Sequence, residues 1–529
     1  MPVSLSRRGL FGAAAATLAA PRLARADAAR ILRFIPQSDL GVLDPIWTAA
    51  YVTRNHAMML FDTLYGTDAQ YRAVPQMLAG HVVDSDDRVW RLTLREGLRF
   101  HDGTPVLARD CVASIRRWGA RDSFGQTLLA VTDELAAPDD RTITFRLKRP
   151  FPLLPAALGK AGSNVCAIMP ERLATTDPFK QVTEMVGSGP FRFKADERIP
   201  GARVVYERFD GYVPRSDGTP SFTAGPKRVF VDRVEWTVLP DAATAAAALQ
   251  AGEVDWWEAP TFDLLPVLRR SRDIAVVQPD PLGYMALLRF NHLQPPFDNP
   301  ALRRAILGAV SQMDYMTAVG GDDAANWTVP AGVFPPGTPL ATDAGLSVLT
   351  GPRDLAAVKR AVAESGYKGE RVVVMVPSDF PTLKALGDVG ADMLSRAGLN
   401  VDAQYADWGT VLQRLAKTEP VEQGGWSAFH TYWSGLDQID PAVHVSLRGN
   451  GRSASRGWPT SPKLEALRAE WLAATDPAMQ RSLAADMQRQ VWVDVPYIPL
   501  GQIKPATAYR KRVTEVLGGY SLFWNLRLA

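Results

Sequence analysis

Apolar residues recur along the chain with two different periods, and segments of the two kinds follow one another throughout. Extended or alternating apolar runs predict strands at residues 29–35, 89–94, 142–147, 229–239, 371–376, 401–405 and 496–503. Apolar residues at helical spacing predict helices from residue 108, at 241–250, from 299, at 383–397 and across most of 464–491. No internal repeat of 20–50 residues is visible, which argues against a solenoid or propeller. The alternation predicts an α/β fold.

Residue types at the ends of two of these helices support the assignment. Asp241 precedes an alanine-rich run, where its side chain can accept hydrogen bonds from the first turn, and Gly252 follows the run as a helix terminator. Asn299 and Pro300 form a capping residue and a first-turn residue for the next helix.

The chain is too long for a single hydrophobic core. It has 529 residues, of which 47% are hydrophobic and 22% charged, a globular composition that predicts two or three core units. Four of the 59 basic side chains, and none of the 56 acidic ones, fall in residues 1–26, so the remainder is close to neutral. A balanced body of this kind gives no electrostatic footprint for nucleic acid.

The first 26 residues have the pattern of an export signal. Ser6, Arg7 and Arg8 stand in a Ser-Arg-Arg-x-Leu-Phe string, an apolar run follows, and a small-x-small cleavage pattern ends at Ala26. The arginine pair resembles the twin-arginine motif, read by an export machinery that carries folded cargo. No other segment approaches the ~20 apolar residues that a membrane helix needs. The sequence therefore predicts a periplasmic protein, cleaved near Ala26.

Motifs for catalysis or metal binding are missing from the sequence. The six histidines are scattered, and none stands at a metal-ligand spacing from another histidine or a cysteine. The Gly-Ser-Gly string around Ser188 is too short for a nucleophile elbow, and no phosphate-binding loop is present. We expect a binding protein without a cofactor, with a secreted hydrolase as the alternative from another class. Cys111 and Cys166 can form at most one disulfide, and two buried thiols are the favoured interpretation.

Short motifs spread over nearly the whole chain resemble one family. The string Arg-Glu-Gly-Leu-Arg-Phe-His-Asp-Gly-Thr-Pro at residues 95–105 resembles the signature of the family 5 extracellular solute-binding proteins. These are the dipeptide, oligopeptide, nickel and opine receptors of ABC importers. Further matches follow in the family's order: Leu43-Asp44-Pro45, residues 60–65, 186–191, 251–255, Phe290-Asn291, Pro295-Pro296-Phe297, Arg303-Arg304-Ala305 and residues 496–500.

The resemblance implies an α/β, two-lobed periplasmic binding protein of type II, with an extra peripheral subdomain in the first lobe. It assigns residues 27–72, 185–283 and 500–529 to lobe I, residues 73–184 to the subdomain and residues 284–499 to lobe II. Two extended crossings near 284–291 and 496–502 would let the lobes close around a small solute. Three partners are expected: a small, peptide-like solute, the permease of an ABC importer, and the twin-arginine export machinery, which acts on the precursor. A monomer is expected.

The candidate binding residues come from the same resemblance. Peptide-binding relatives carry Trp, small residues, Asp and then Asp-Pro, and this pattern matches Trp433, Ser434, Gly435 and Asp437 if Leu436 is an insertion. Asp437 would then pair with a ligand ammonium group, although a loop-capping role for Asp437 and a core position for Trp433 are the alternatives. Trp47 and Ser188 fall in segments that approach the cleft in the family.

One position departs from the family's pattern. Dipeptide-binding relatives use an arginine after the strand that corresponds to residues 371–376 to hold the peptide carboxylate. Here residues 376–380 read Val-Pro-Ser-Asp-Phe, without an arginine. A longer or blocked peptide, an opine-like conjugate, an oligosaccharide and a metal–chelate complex therefore stay open as ligands.

Overall fold

The structure, a computed structural model, describes residues 30–529. The export signal predicted at residues 1–26 lies outside this range. The described residues form two mixed sheets and one antiparallel sheet, with helices packed around them. The strands are β1 (Ile31–Ile35), β2 (Tyr65–Thr67), β3 (Ala73–Pro75), β4 (Leu78–Val83), β5 (Val89–Leu94), β6 (Thr132–Ala136), β7 (Thr142–Leu147), β8 (Phe191–Phe193), β9 (Arg203–Arg208), β10 (Arg233–Thr237), β11 (Trp256–Trp257), β12 (Ile274–Val277), β13 (Tyr284–Phe290), β14 (Trp327–Thr328), β15 (Arg371–Pro377), β16 (Asn400–Ala406), β17 (Ala428–Ser434), β18 (Ile498–Ile503), β19 (Thr507–Arg510), β20 (Val513–Thr514) and β21 (Arg527–Leu528).

The α-helices connect these strands and cover the sheets. They are α1 (Tyr51–Leu60), α2 (Ala108–Gly119), α3 (Ser123–Val131), α4 (Leu154–Leu158), α5 (Glu171–Ala174), α6 (Ala242–Ala251), α7 (Leu265–Arg269), α8 (Pro300–Leu307), α9 (Gln312–Gly320), α10 (Ser347–Thr350), α11 (Leu355–Glu364), α12 (Pro381–Arg396), α13 (Trp408–Arg414), α14 (Pro462–Ala473) and α15 (Pro477–Asp494).

A seven-stranded sheet forms the body that we call lobe I. Its strand order is β12-β19-β11-β1-β10-β9-β8, and β1 runs parallel to both β10 and β11. Aromatic rings fill the core against this sheet: Phe34 contacts Trp236, Trp256 and Phe523 with ring centroids 4.9–5.5 Å apart. Rings of this size bury a large apolar area and prefer such tilted and edge-on contacts.

A six-stranded sheet forms the second body, lobe II. Its order is β14-β18-β13-β17-β15-β16, with β15 parallel to β16 and β17. The connection from lobe I enters through β13, and the chain returns through β18, which pairs with β13 in antiparallel register. Because β18 runs to Ile503 inside this sheet, the boundary predicted at residue 500 falls within a strand of lobe II, and the return lies a few residues later.

A third, four-stranded sheet belongs to the peripheral subdomain. Its order is β4-β5-β7-β6, all antiparallel, and the bounds of β5 and β7 agree with the predicted strands at 89–94 and 142–147. Helix α2 packs on it with Val112, Ile115 and Trp118 buried, as the helical spacing predicts, and Cys111 beside them is buried as well. The motif at residues 95–105 forms turns at the edge of this subdomain, where Gly97 and Gly103 adopt positive φ angles of 77° and 87°.

The predicted helix ends are confirmed. Asp241 accepts a hydrogen bond from the backbone N–H of Thr244 at 2.7 Å, and Gly252 ends the helix in the left-handed conformation with φ 80°. Asn299 likewise accepts a hydrogen bond from the backbone N–H of Ala301 at 2.9 Å. Local sequence thus determined where these helices begin and end.

The stretch predicted to be mostly helical across 464–491 is helical in two pieces, because Asp476 caps a new helix that begins at Pro477. The strand predicted at 229–239 is shorter, Arg233–Thr237, although Val231 beside it is buried. Cys166 lies in irregular chain rather than in a strand, and both Cys166 and Cys111 are buried free thiols.

Among residues 30–529, no helix combines the length and the apolar character needed to cross a membrane. Within the same residues, no group of three or more His, Cys, Asp or Glu side chains is arranged to hold a metal ion.

Candidate ligand-binding site

Strand ends of the two lobes meet in a region that we call the cleft: the Tyr284 hydroxyl, beside the end of β17, donates to the side-chain oxygen of Gln37, which follows β1, at 3.5 Å. In lobe I, the chain leaves β1 and β11 at Gln37 and Glu258, and the backbone N–H of Gln37 donates to the Glu258 carboxylate at 2.8 Å. In lobe II, β15 ends at Pro377, three residues before Phe380, and β17 ends at Ser434. In α/β sheets, ligands bind outside the carboxyl ends of the strands. The cleft is therefore the candidate site.

A row of aromatic rings crosses from one lobe to the other. Tyr51 of α1 stacks on Tyr284 at the start of β13, with centroids 5.7 Å apart and planes 6° apart, and Tyr284 stacks on Tyr432 of β17 at 4.6 Å. Phe380 continues the row, edge-on to Tyr432 at 6.1 Å and to Trp408 at 6.3 Å. The backbone N–H of Ser434 also donates to the Tyr51 phenolic oxygen. This aromatic row, Tyr51-Tyr284-Tyr432-Phe380-Trp408, gives the cleft an apolar wall.

Asp437 presents an unpaired carboxylate oxygen beside this wall. Its side chain is 3% exposed, and its Oδ1 accepts hydrogen bonds from the backbone N–H and the hydroxyl of Ser163 at 2.8 and 3.0 Å. Its Oδ2 has no hydrogen-bond partner in the described part of the chain. Burial raises the pKa of Tyr51, and the nearby Asp437 charge raises it further. A buried carboxylate with one oxygen left unpaired is suited to receive a positively charged hydrogen-bond donor.

Arg54 occupies the lobe I side of the same tyrosines. Helix α1 is buried along its whole length, and Arg54 is only 5% exposed. Its guanidinium carbon lies 3.6 Å from the centroid of the Tyr520 ring and 4.8 Å from that of Tyr51. Cationic groups over aromatic faces at this range are attracted by the ring quadrupole. The site thus contains a positive group and a negative group, both beside Tyr51 and Tyr520.

Two further carboxylates lie close to this cluster. Glu258 accepts from the side-chain amide of Asn55 at 2.6 Å as well as from Gln37, and Asp280 accepts from the backbone N–H of Leu282 at 3.0 Å. Burial raises the pKa of both carboxyl groups above the ordinary range, although the Arg54 charge opposes the shift in each case. The donors that bind these two carboxylates, Gln37, Asn55 and Leu282, all belong to lobe I.

Comparison with known proteins identifies the class. The sequence pattern described as "Bacterial extracellular solute-binding proteins, family 5 Middle" matches residues 72–453, well over half of the chain. The chain belongs to this family. The family 5 protein described here is thus a solute-binding protein and not an enzyme, as the motifs predicted.

Relatives agree with this assignment over their full length. A probable peptide ABC transporter periplasmic-binding protein of Sinorhizobium fredii is 37% identical over 537 residues, covering 100% of both chains. A glutathione-binding protein of Pectobacterium atrosepticum is 26% identical over 532 residues, covering 97% of this chain and 96% of its own.

Solved structures show the same two-lobed fold. A periplasmic binding protein from Agrobacterium tumefaciens, AgaA in complex with agropinic acid, has a TM-score of 0.77 at 18% identity and covers 94% of this chain and 99% of its own. DppA from Helicobacter pylori in complex with the peptide STSA has a TM-score of 0.77 at 19% identity, with coverages of 94% and 98%.

Ser434 and Gly435 of the predicted site lie where the two lobes meet. Ser434 caps the short turn that follows β17, with its hydroxyl accepting from the backbone N–H of Leu436 at 3.3 Å. Gly435 packs against the crossing segment: its N–H donates to the Gly283 carbonyl at 2.8 Å, and an added Cβ would lie 2.6 Å from atoms of Leu282. In the family 5 protein, these two residues position the Asp437 turn.

The other two candidate residues, Trp47 and Ser188, contact lobe I and the peripheral subdomain. The Trp47 ring lies 4.9 Å from the guanidinium carbon of Arg121, at the edge of the peripheral subdomain. Ser188 is 4% exposed, and its hydroxyl donates to the Ile168 carbonyl and accepts from the Asp62 N–H, at 2.9 and 3.1 Å. Both of these contacts of the Ser188 hydroxyl are to backbone groups of the scaffold.

Trp433 and Tyr432 alternate across β17, and the structure places Tyr432 in the aromatic row. Trp433 is half-buried and pairs in register with Met285, on the opposite face of the strand. Sequence reasoning missed Tyr432, Tyr51, Tyr284 and Arg54. For Tyr432 a signal was present, since it stands beside Trp433 in an aromatic-rich segment, but the sequence does not show which face of the strand meets the other lobe.

Gly162 tests whether the contact between Ser163 and Asp437 matters for binding. An added Cβ at Gly162 would overlap Oδ1 of Asp437, across the boundary between the subdomain and lobe II. We expect Gly162→Ala to weaken ligand affinity on the order of tenfold, because overpacking costs about 1–3 kcal/mol and here opposes the approach of the lobes. Calorimetric titration measures the effect. Gly80→Ala in the same subdomain, where an added Cβ meets no atom within 4 Å, is the matched control. Equal affinities for the two variants would contradict the expectation.

Proposed function

We propose that this protein is the periplasmic binding component of an ABC importer that captures a peptide or peptide-like solute and delivers it to a membrane permease. The observation that carries the ligand class is Asp437, a buried carboxylate in the cleft with one unpaired oxygen. An ammonium group is the complementary ligand, and an amino terminus is the ammonium group that every free peptide carries. The full-length relative named as a peptide-binding component supports the same class.

The aromatic row supports a ligand with apolar side chains as well as charge. Ligand sites are lined mainly by aromatic and apolar groups, with a few placed polar groups that fix orientation. The rings of Tyr432, Phe380 and Trp408 provide such a lining on the lobe II side. The glutathione-binding relatives indicate that a modified tripeptide belongs among the ligands to be tested.

Binding assays test this function directly. We expect native mass spectrometry of protein purified without refolding to show a bound peptide-sized molecule. Thermal unfolding should shift upward with peptides, since a ligand at a hundredfold excess over its dissociation constant stabilises by about 2.7 kcal/mol. An opine-like conjugate, an oligosaccharide or a metal–chelate complex as the sole stabilising ligand would overturn the peptide assignment, and turnover of peptides or glycosides would overturn the binding-protein assignment.

We further propose that the lobes follow the division assigned from the sequence, with the return crossing moved beyond Ile503, and that ligand closes them. Contacts that join lobe II to the rest of the protein support this: Ser163 with Asp437, Tyr51 with Ser434, and the Arg468 guanidinium with the Thr127 hydroxyl at 3.3 Å. Because ligand must favour the form that it binds better, small-angle scattering should give a smaller radius of gyration with ligand than without.

We propose export through the twin-arginine route, with cleavage near Ala26. The arginine pair at residues 7 and 8 is the support for this route. Replacing Arg7 and Arg8 with lysine is expected to leave precursor in the cytoplasm, because the export receptor reads the guanidinium pair. Cell fractionation and immunoblotting measure the distribution. Normal periplasmic accumulation of the double variant would show that the general secretory route suffices.

A further inference from the structure

Arg54 is a buried cation that lacks an anionic partner. Its Nε and Nη2 atoms both donate to a single acceptor, the Oδ1 of the neighbouring Asn55, at 3.2 and 3.0 Å. Among the described residues, no carboxylate forms an ion pair with it, whereas the equally buried Arg117 is paired with Asp44 at 2.6 Å. A guanidinium carries five N–H donors, so most of the hydrogen-bonding capacity of Arg54 is left for another group.

The surroundings of Arg54 hold it in place, and the carboxylates that face it in the described part of the chain form no ion pair with it. The faces of Tyr520 and Tyr51 lie 3.6 and 4.8 Å from its guanidinium carbon and restrict its rotation. The charged groups that face it are Glu258 and Asp280, whose oxygens already accept hydrogen bonds from lobe I backbone and side chains. Asp437 interacts with the same two tyrosines from the lobe II side, where its charge raises the pKa of Tyr51 and of Tyr520 in addition to burial.

The three residues that follow β15 in lobe II, residues 378–380, include no cation that could hold a ligand carboxylate. Phe380 occupies the start of α12 after this strand, and its ring contacts Tyr432 and Trp408. The neighbouring Ser378 and Asp379 are exposed, and Asp379 accepts from the Trp408 N–H at 2.8 Å. This edge of the cleft is therefore aromatic and carries no positive charge of its own.

We propose that Arg54 binds the carboxylate of the ligand, so that the cleft recognises a zwitterion with its ammonium group at Asp437 in lobe II and its carboxylate at Arg54 in lobe I. The planar fork of an arginine matches a carboxylate with two parallel hydrogen bonds. The ligand that fits this arrangement has its two charged groups on either side of Tyr51 and Tyr520, between Asp437 and Arg54. This assignment rests on the proposed peptide-binding function and adds the group that sets its specificity.

The test compares free acids with amides. Trialanine, glycyl-leucyl-tyrosine and reduced glutathione, each as the free acid and with amidated carboxyl groups, are titrated by calorimetry into the wild-type protein and into Arg54→Gln. We expect the wild type to bind the acid about 10- to 100-fold more tightly than the amide, the range that hydrogen bonds to a charged group contribute. Arg54→Gln should bind acid and amide within about twofold of each other, because the preference resides in the guanidinium.

The matched control is Arg527→Gln. The Arg527 guanidinium carbon also lies 3.6 Å from a ring centroid, that of Phe230, but its side chain is exposed and paired with Glu515. This variant should keep the full preference for the acid. If Arg54→Gln does not fold, Arg54→Lys takes its place. The ratio of acid affinity to amide affinity is then compared between the wild type and Arg54→Lys, and it should be smaller in the variant because lysine lacks the planar fork.

The outcomes separate the two proposals. Equal binding of acid and amide by the wild type, or a preference that survives in Arg54→Gln, overturns the role of Arg54 while leaving peptide binding intact. Absence of binding by every peptide and amide overturns the proposed function and the Arg54 assignment together.

Discussion

Replacing Asp437 with asparagine is expected to weaken the binding of an amine-bearing peptide by at least ~30-fold, since truncating one side of a desolvated charge pair typically costs about 2–5 kcal/mol. An asparagine oxygen can still accept from Ser163, whose N–H and hydroxyl now bond to Oδ1. The amide NH₂ would then take the place of the unpaired Oδ2 and present a donor to the ligand ammonium. Calorimetric titration with the peptide that stabilises the wild type most measures the loss.

Asp440 is the control for Asp437 because it lies in the same loop and is itself half-buried. Its Oδ1 accepts from the backbone N–H groups of Ala442 and Val443 at 2.8 and 3.3 Å. An asparagine can keep this capping role, so Asp440→Asn should bind ligand like the wild type. If Asp440→Asn loses affinity and Asp437→Asn does not, the alignment across Leu436 is wrong. If neither variant changes affinity, the ligand carries no ammonium group.

The sequence predicted the parts of the fold that depend on neighbouring residues. The alternating pattern of β5 and β7, the caps of α6 and α8 and the helical face of α2 are local features, and the structure contains each of them. The break at Asp476 was also local, since Pro477 and a capping aspartate were visible, but an apolar pattern that continues on both sides concealed it.

The sequence predicted only those candidate site residues that lie together in one continuous segment. Asp437 and Ser434 follow β17 directly, so a motif in one stretch was enough to find them. Tyr51, Tyr284 and Tyr432 come from three distant segments and meet only because the two sheets face each other. Arg54 gave no signal at all, because a single arginine in a helix is ordinarily solvent-exposed and the burial of α1 depends on the whole of lobe I. The spacing of apolar residues within one segment does not reveal long-range packing of this kind.

Breaking the buried ion pair of Lys227 and Asp62 should strongly destabilise lobe I. Lys227 is 0% exposed, and its ammonium nitrogen lies 2.8 Å from Oδ1 of Asp62, while the Tyr212 hydroxyl donates to Oδ2 at 2.8 Å. We expect Lys227→Met to lower the free energy of unfolding by about 3–5 kcal/mol at pH 7, because it leaves the Asp62 charge buried without a counter-ion. Urea unfolding followed by tryptophan fluorescence measures the change.

The pH dependence identifies the cause of this loss. Burial alone would raise the pKa of Asp62, but the Lys227 charge and the hydrogen bonds from Lys227 and Tyr212 hold the pKa below its ordinary value. In the wild type, the stability that this depressed pKa contributes is present above the unfolded pKa of about 4 and is lost as the pH falls through the folded pKa. In Lys227→Met, burial is no longer opposed by the ammonium group, so the carboxyl group can take up a proton at higher pH. The difference between the two proteins should therefore shrink as the pH falls from 7 toward about 4. Adding Asp62→Asn to Lys227→Met should recover part of the lost free energy of unfolding at pH 7. The contrary outcome is a deficit that does not change with pH and that Asp62→Asn does not reduce. It would assign the loss to altered packing around Trp524, whose ring centroid lies 4.6 Å from the Lys227 nitrogen.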